Sequence, residues 1–403
     1  MKNLLLCFLI LICVDMQAQN TISGIVLSDK DHLPLESASV YISGTTKGTY
    51  TDSKGNFTIS DVATPCHLVV SHLGYNLQIK ELEKAGIERL TISLAVKDIR
   101  LSGVSVKGIG LRERNIKEFR ETFLGNDRWG KYAVIKNDSV LVFSRQTDTI
   151  FQKATTGDFE MQHKFKSIGT DKEWSKDSTM IFVIGKAFSV ETKSPLLIEI
   201  PFLGYDVYVD LVSFKLNSFK EWADCDYWAY YKFVANTKAT ARQQVRFEKN
   251  RRDVYYNSAR HFCRALYDDK LKENGYMIKF ENRKDTTGLY KSNYIDINLL
   301  TSHQKPNEVQ LTGLLNQKIT IYYFCTYDGI PINVNQNSLN NRSKKNIWDY
   351  WNVQNNSYII LKSDTCTIRS NGTIPDNNIL FGGMMVSKRG GTLLPFDYIP
   401  KEK

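Results

Sequence analysis

The chain has 403 residues, 42% of them hydrophobic and 24% charged, and a formal net charge of +10. That is an ordinary globular composition with room for two or three domains. Seven scattered cysteines exclude a dense disulfide framework, while 21 Tyr and 20 Phe beside many Val, Ile and Thr tilt the chain toward strand.

Residues 1–18 read as a secretory signal peptide. Lys2 gives the positive start, LLLCFLILICV the apolar core and Ala18 a small residue before a cut. The apolar run is shorter than the ~20 residues of a membrane span, and no later stretch is long and apolar enough for one. Neither Cys7 nor Cys13 follows a small residue, which argues against a lipoprotein anchor. The expected location is the periplasm or the outer-membrane surface, with no transmembrane segment once the signal is removed. Cys66, Cys225, Cys263, Cys325 and Cys366 then remain, enough for one or two bridges in an oxidising compartment. Cys263, on an apolar stripe, is expected as a buried thiol. The basic balance points to acidic envelope surfaces before nucleic acid, although solubility alone also accounts for it.

From residue 20 to 98 the period is two. TISGIVLS, SVYISGT, TYTD, GNFTIS, HLVVSHL, NLQIKEL and LTISLAV are short runs separated by turn clusters, at the spacing of a β-sandwich. Asp52-Ser53-Lys54-Gly55 has the make-up of a tight turn in which Asp bonds the backbone and Gly takes a positive φ.

This stretch resembles the carboxypeptidase-like regulatory domain. The matching positions are Gly24, Val26, Pro34-Leu35, Ala38, Val40, Gly44-Thr45, Gly48-Thr49, Thr51-Asp52, Gly55 and Phe57, followed by HLGY. The resemblance implies a seven-stranded, transthyretin-like sandwich. It also implies an exported protein of the Bacteroides-type gram-negative kind, where such domains often precede TonB-dependent receptors. About 300 residues are left, too few for a receptor barrel of some 22 strands. No histidine has Glu three positions on and no HExxH occurs, so the zinc site of a metallocarboxypeptidase is missing. No metal and no other cofactor is expected.

Residues 99–110 read as a linker and residues 111–403 as an α+β module. LRERNIKEFRETFLG is an amphipathic helix with Ile116, Phe119 and Phe123 on one face. YAVIK, SVLVFS, TIFQ, MIFVIGKAFSV, LLIEI, YDVYVDLVSF and WAYYKFV follow as strands, then YMIKF, ITIYYFCTY and YIILK farther on. Asn335–Asn346 reads as a loose surface loop. Between these groups, Thr240–Asn274 has no Gly or Pro and predicts one long helix, capped by a Thr240/Gln243 box and stopped at Asn274-Gly275. Pro195–Phe214, Glu248–Tyr267 and Thr392–Pro400 resemble an exported group of about 400 residues with the same order of modules. That second resemblance brings no activity with it.

On the long helix Tyr255, Ala259, Phe262 and Leu266 form an apolar stripe. Across from it lie Asn250, Asp253, Asn257, Arg260, His261 and Arg264. Asn257, Arg260, His261 and Arg264 are the candidate ligand-binding residues, because arginines one turn apart can jointly hold a carboxylate or phosphate. The same row reads more readily as a hydrogen-bond network locking the helix to the sheet, or as a wet face. Ser258, His261 and Asp268 invite a Ser-His-Asp reading. Side chains one turn apart seldom bring His in line with Ser, however, and no GxSxG elbow exists. Ser302–Lys305 matches SxxK, but Pro306 follows and KTG is absent.

Two further surfaces are candidates for contact. Lys238, Arg242, Arg246, Lys249, Arg251 and Arg252 make the front of the helix basic, a landing face for acidic lipid or polysaccharide or merely a solvated one. Trp222, Tyr227, Trp228, Tyr230 and Tyr231, with Trp348, Tyr350 and Trp351, can stack on sugars or fill a core.

The sequence thus predicts a β-rich α+β protein, an N-terminal seven-stranded sandwich followed by an α+β domain with one long helix. Its expected role is non-enzymatic binding or assembly at the cell envelope, with an envelope protein or glycan as partner. The alternative is an envelope hydrolase using the polar face of the 240–274 helix.

Overall fold

Strict apolar–polar alternation makes β1 (Ile22–Ser28) bury every second residue, and the runs that follow do likewise in the computed structural model of the chain. The structure describes residues 20–84, 89–97, 109–127, 129–153, 172–174, 180–218, 223–280, 301–305, 307–315, 318–325, 330–331, 356–375, 378–387 and 390–401. The expected signal peptide, most of the linker, the 335–346 loop, Trp222, Trp348, Tyr350 and Trp351 lie outside the described residues.

The first seven strands are β1, β2 (Ser39–Ile42), β3 (Gly48–Tyr50), β4 (Asn56–Ile59), β5 (Cys66–Ser71), β6 (Gln78–Leu82) and β7 (Leu90–Leu94). They form two sheets, β4-β1-β7 and β3-β2-β5-β6, with β1 and β7 parallel and the other neighbours antiparallel. Val26, Val40, Phe57, Leu68 and Leu94 close the core between them. Gly24 has no room for a side chain, since a Cβ there would stand 2.4 Å from the Leu90 carbonyl and 2.7 Å from the Phe57 ring. At the β3–β4 turn Asp52 accepts from the N–H groups of Lys54 and Asn56 at 2.9 and 2.8 Å, and Gly55 has φ +75°.

By its packing the chain divides into two compact units. The first joins Met1–Val106 with Ser139–Leu196 and Val207–Val234; the second holds Lys107–Asp138, Leu197–Asp206 and Ala235–Lys403. In the first unit β9 (Leu141–Lys153), β10 (Lys172–Trp174) and β13 (Tyr205–Ser218) pair antiparallel with β11 (Met180–Thr192). β14 (Ala223–Ala235) pairs with β13. The sandwich is not wrapped in water on all sides. Tyr41 and Val69 point away from its core, yet Tyr41 is 1% exposed and Val69 is fully buried. The Gly44 N–H donates to the Tyr231 carbonyl at 2.6 Å, and the Phe233 N–H to the Thr45 carbonyl at 3.1 Å, so the β2–β3 loop runs along β14 like an added strand.

In the second unit α1 (Ile109–Phe123) buries Phe119 and Phe123, stacked 5.2 Å apart. β8 (Val134–Ile135) pairs with β12 (Leu196–Ile200). Where one long helix is expected the structure has two, and this corrects the sequence reading: α2 runs Ala241–Tyr255 and α3 Ala259–Tyr267. Asn257 between them takes φ +55°, a left-handed conformation that Asn tolerates and a helix cannot contain. Ser258 then restarts the helix as an N-cap, its Oγ accepting from the His261 N–H at 3.1 Å. The expected box at the start of α2 is present, with Thr240 and Gln243 bonded reciprocally.

The core beneath α3 comes from two sheets. One is β15 (Tyr276–Phe280), β18 (Lys318–Tyr323), β19 (Asn356–Leu361) and β21 (Ile379–Gly383) in that order; the other is β16 (Thr301–Lys305), β17 (Glu308–Thr312) and β20 (Thr365–Arg369). Phe262, Cys263 and Leu266 of α3 meet Ile319, Ile359 and Ile368 there. Burial, with Cys366 beside it, pushes the Cys263 thiol well above its usual range, so it packs as a small apolar group. The architecture is β-rich α+β. Among the described residues no helix is long and apolar enough to cross a membrane.

Candidate functional site

The helix break gathers Asn257, Arg260, His261 and Arg264 around the start of α3, and the last three direct their side-chain nitrogens at the chain itself. His261 is 2% exposed. Its Nδ1 accepts from the Tyr276 hydroxyl at 2.8 Å and the Asn257 N–H at 3.3 Å, and its Nε2 donates to Asn274 Oδ1 at 3.1 Å. Those partners fix the neutral tautomer protonated at Nε2. Burial holds the Tyr276 hydroxyl far above its ordinary pKa, so it remains a donor. The rings of Tyr255, Tyr256 and Tyr276 surround the imidazole at 5.1, 5.2 and 5.1 Å.

The two arginines donate to backbone carbonyls. Arg260 Nη1 donates to the Leu394 and Pro395 carbonyls at 3.0 and 2.6 Å. Arg264 donates to the carbonyls of Asn371 (3.2 Å), Tyr398 (2.9 Å) and Phe396 (2.7 Å), and to the Tyr255 hydroxyl at 3.4 Å. Burial, and Arg264 one turn away, pull the Arg260 pKa down to about 10, which leaves it charged at neutral pH. A guanidinium suits this duty because its planar fork can reach several carbonyls at once. The fit is tight on the far side. Gly372 has φ +80°, and a Cβ on it would lie 2.7 Å from Arg260 Cγ and 2.8 Å from the Arg260 carbonyl. Asn257 Oδ1 is buried without a hydrogen-bond partner among the described residues.

The Ser258–His261–Asp268 set is not assembled as a triad. Ser258 Oγ accepts from the His261 backbone and donates to the Tyr255 carbonyl at 2.6 Å, and Asp268 is the exposed C-cap of α3. Ser302 and Lys305 lie on β16, where Lys305 is exposed and paired with Glu308 at 3.8 Å. Of the aromatic candidates, Tyr227 and Trp228 keep 38% and 46% of their surface in solvent.

A second polar cluster, in the first unit, went unread in the sequence. Asp210 on β13 accepts from the Tyr41 hydroxyl at 2.6 Å and from Ser71 Oγ at 3.0 Å. Lys232 on β14 is 7% exposed; its Nζ donates to Ser39 Oγ at 3.1 Å and sits 3.9 Å above the Tyr50 ring. Burial raises the Asp210 carboxyl above the usual range, against the lowering pull of Tyr41, Ser71 and Lys232. Burial, then Asp210, keep Tyr41 firmly protonated. The signal was an acid inside VYVDLV and a lysine inside AYYKFV, charges placed where a strand is otherwise apolar.

Residues 22–106 match the family model of the CarboxypepD_reg-like domain. No curated protein matches the chain. Among solved structures, a cohesin–X-dockerin complex of Acetivibrio cellulolyticus aligns at 23% identity over 24% of this chain and 72% of its own, with TM-score 0.18. A Bacteroides fragilis protein of unknown function, described as membrane-associated, aligns at 11% identity over 53% of this chain and 95% of its own, with TM-score 0.16.

Proposed function

We propose that this chain, whose residues 22–106 are a CarboxypepD_reg-like domain, is an exported protein of the cell envelope with a non-enzymatic binding or assembly role. One observation carries the non-enzymatic reading: the helix row that offered a hydrolase its groups is already engaged. Ser258 Oγ caps α3 and bonds a carbonyl, His261 Nδ1 holds two donors, and both arginines are turned to backbone carbonyls. A general base needs a free lone pair within reach of its nucleophile, and this imidazole has none. Export is supported by the apolar leader of residues 1–18 ahead of the sandwich.

Two measurements test the proposal separately. Fractionation with intact-mass analysis is expected to find the protein in periplasm or outer membrane, beginning near Gln19; cytosolic material still carrying Met1–Ala18 sinks the export reading. A fluorophosphonate probe is expected to leave the protein unlabelled. Labelling that disappears in Ser258→Ala would return the hydrolase to the front.

A further inference from the structure

α2 turns a basic face to water. At 100° per residue Arg242, Val245, Arg246 and Lys249 fall within an arc of about 100°. All of them are exposed, and Val245 keeps 72% of its surface in solvent. The opposite side buries Phe247, Asn250 and Val254. Acids do little to neutralise the arc. Glu248 is turned to the C-terminal segment, accepting from the Tyr398 hydroxyl at 2.9 Å and the Lys401 N–H at 3.3 Å. Asp253 falls within the same arc, one turn past Lys249, and is half-buried. The two bonds to Glu248 lay residues 398–401 along the flank of α2 and set the 71%-exposed Ile399 and the exposed Lys401 beside the basic face.

Single exposed aliphatics such as Leu33 and Leu73 also stand elsewhere on the chain, but here Val245 stands among three exposed cations. A protein-docking face is typically richer in aromatics and poorer in Lys. Cations ringed around small aliphatics match an anionic lipid surface, where Lys and Arg meet headgroup phosphates and the aliphatics enter the boundary with the acyl chains. We infer that α2 and the C-terminal segment, through Arg242, Val245, Arg246, Lys249, Ile399 and Lys401, dock this protein on a membrane surface rich in anionic phospholipid. The inference rests on the envelope placement proposed above and makes the attachment peripheral.

Sedimentation of the full chain with vesicles tests it, comparing phosphatidylglycerol mixed with phosphatidylcholine against phosphatidylcholine alone. Binding to the anionic vesicles is expected to be at least about tenfold tighter and to fade at high salt. The apolar leader is common to all arms, so the difference between vesicles reports the basic face. Arg242→Glu, Arg246→Glu and Lys249→Glu together are expected to erase that preference with an unchanged melting temperature, as exposed positions allow, and Val245→Asp to weaken binding severalfold. Equal binding to both vesicles, a preference that survives the triple variant, or capture by an acidic polysaccharide while vesicles are ignored would overturn the inference. An exported protein that ignores anionic vesicles defeats the docking alone. One that binds them but fractionates with cytosol defeats the export reading alone.

Discussion

Arg264 and Asp210 are both charges drawn partly out of water, and the chain receives them differently. Arg264 in the second unit faces the carbonyls of Asn371, Phe396 and Tyr398, neutral dipoles that no pH in the physiological range alters. Asp210 in the first unit faces hydroxyls of Tyr41 and Ser71, with Lys232 near, and its carboxyl can itself take a proton. The first arrangement ties a helix to a distant stretch of backbone. The second ties strands together through groups that titrate. The contrast shows that a polar row on a helix is no sign of a ligand site until its partners are known.

The pH behaviour follows with opposite signs. Asp210 holds its proton more tightly folded than unfolded. The stability this brings is complete below the unfolded value of about 4 and is lost as pH rises through the raised folded value. Arg260 is depressed to about 10, so its contribution is present above its unfolded value and is lost as pH falls through about 10. Between about pH 6 and 8 the arginine adds no slope. Near the carboxylate range, the aspartate does.

Substitutions at four positions sharpen the comparison. Arg264→Ala strands three carbonyls and is expected to cost about 3–5 kcal/mol in chemical denaturation; Arg264→Lys, lacking the planar fork, is expected to recover less than half of that. Gly372→Ala forces an L side chain into φ +80° against Arg260, and a loss of about 2–4 kcal/mol is expected from the same assay. His261→Ala leaves Tyr276, Asn274 and the Asn257 N–H without their acceptor or donor, for about 2–3 kcal/mol; a wild-type melting curve would place the imidazole in an open site instead. Asp210→Asn is the mildest. Stability at pH 7 should move by less than about 1 kcal/mol while the slope above the unfolded value of about 4 flattens, and an unchanged slope would mean that Asp210 does not titrate there.

Much of the fold is legible where local chemistry decides it. Each of the seven apolar runs from Ile22 to Leu94 is a strand, the Asp52–Gly55 turn has its side-chain bonds, and the Thr240/Gln243 box opens α2. The helix break was hidden because Tyr255, Ala259, Phe262 and Leu266 keep helical spacing across it. Only Asn257 followed by Ser258, a residue that tolerates positive φ ahead of a good N-cap, marked the spot. β16, β17, β20 and β21 are five residues each, too short for periodicity to separate them from loops. In the site, the residue types and their clustering were legible but their partners were not. Arg260 and Leu394 are 134 positions apart, and nothing local in RHFCR announces a carbonyl in the C-terminal segment.

The clamp between α3 and the C-terminal segment is tested most directly by a double-mutant cycle. Arg264→Ala is measured by chemical denaturation in the full chain and in a chain ending at Leu393, which lacks the carbonyls of Phe396 and Tyr398. If Arg264 acts through that segment, the substitution costs at least about 2 kcal/mol less in the shortened chain. Additive losses, equal within about 0.5 kcal/mol, would mean that the arginine serves something other than the segment it touches.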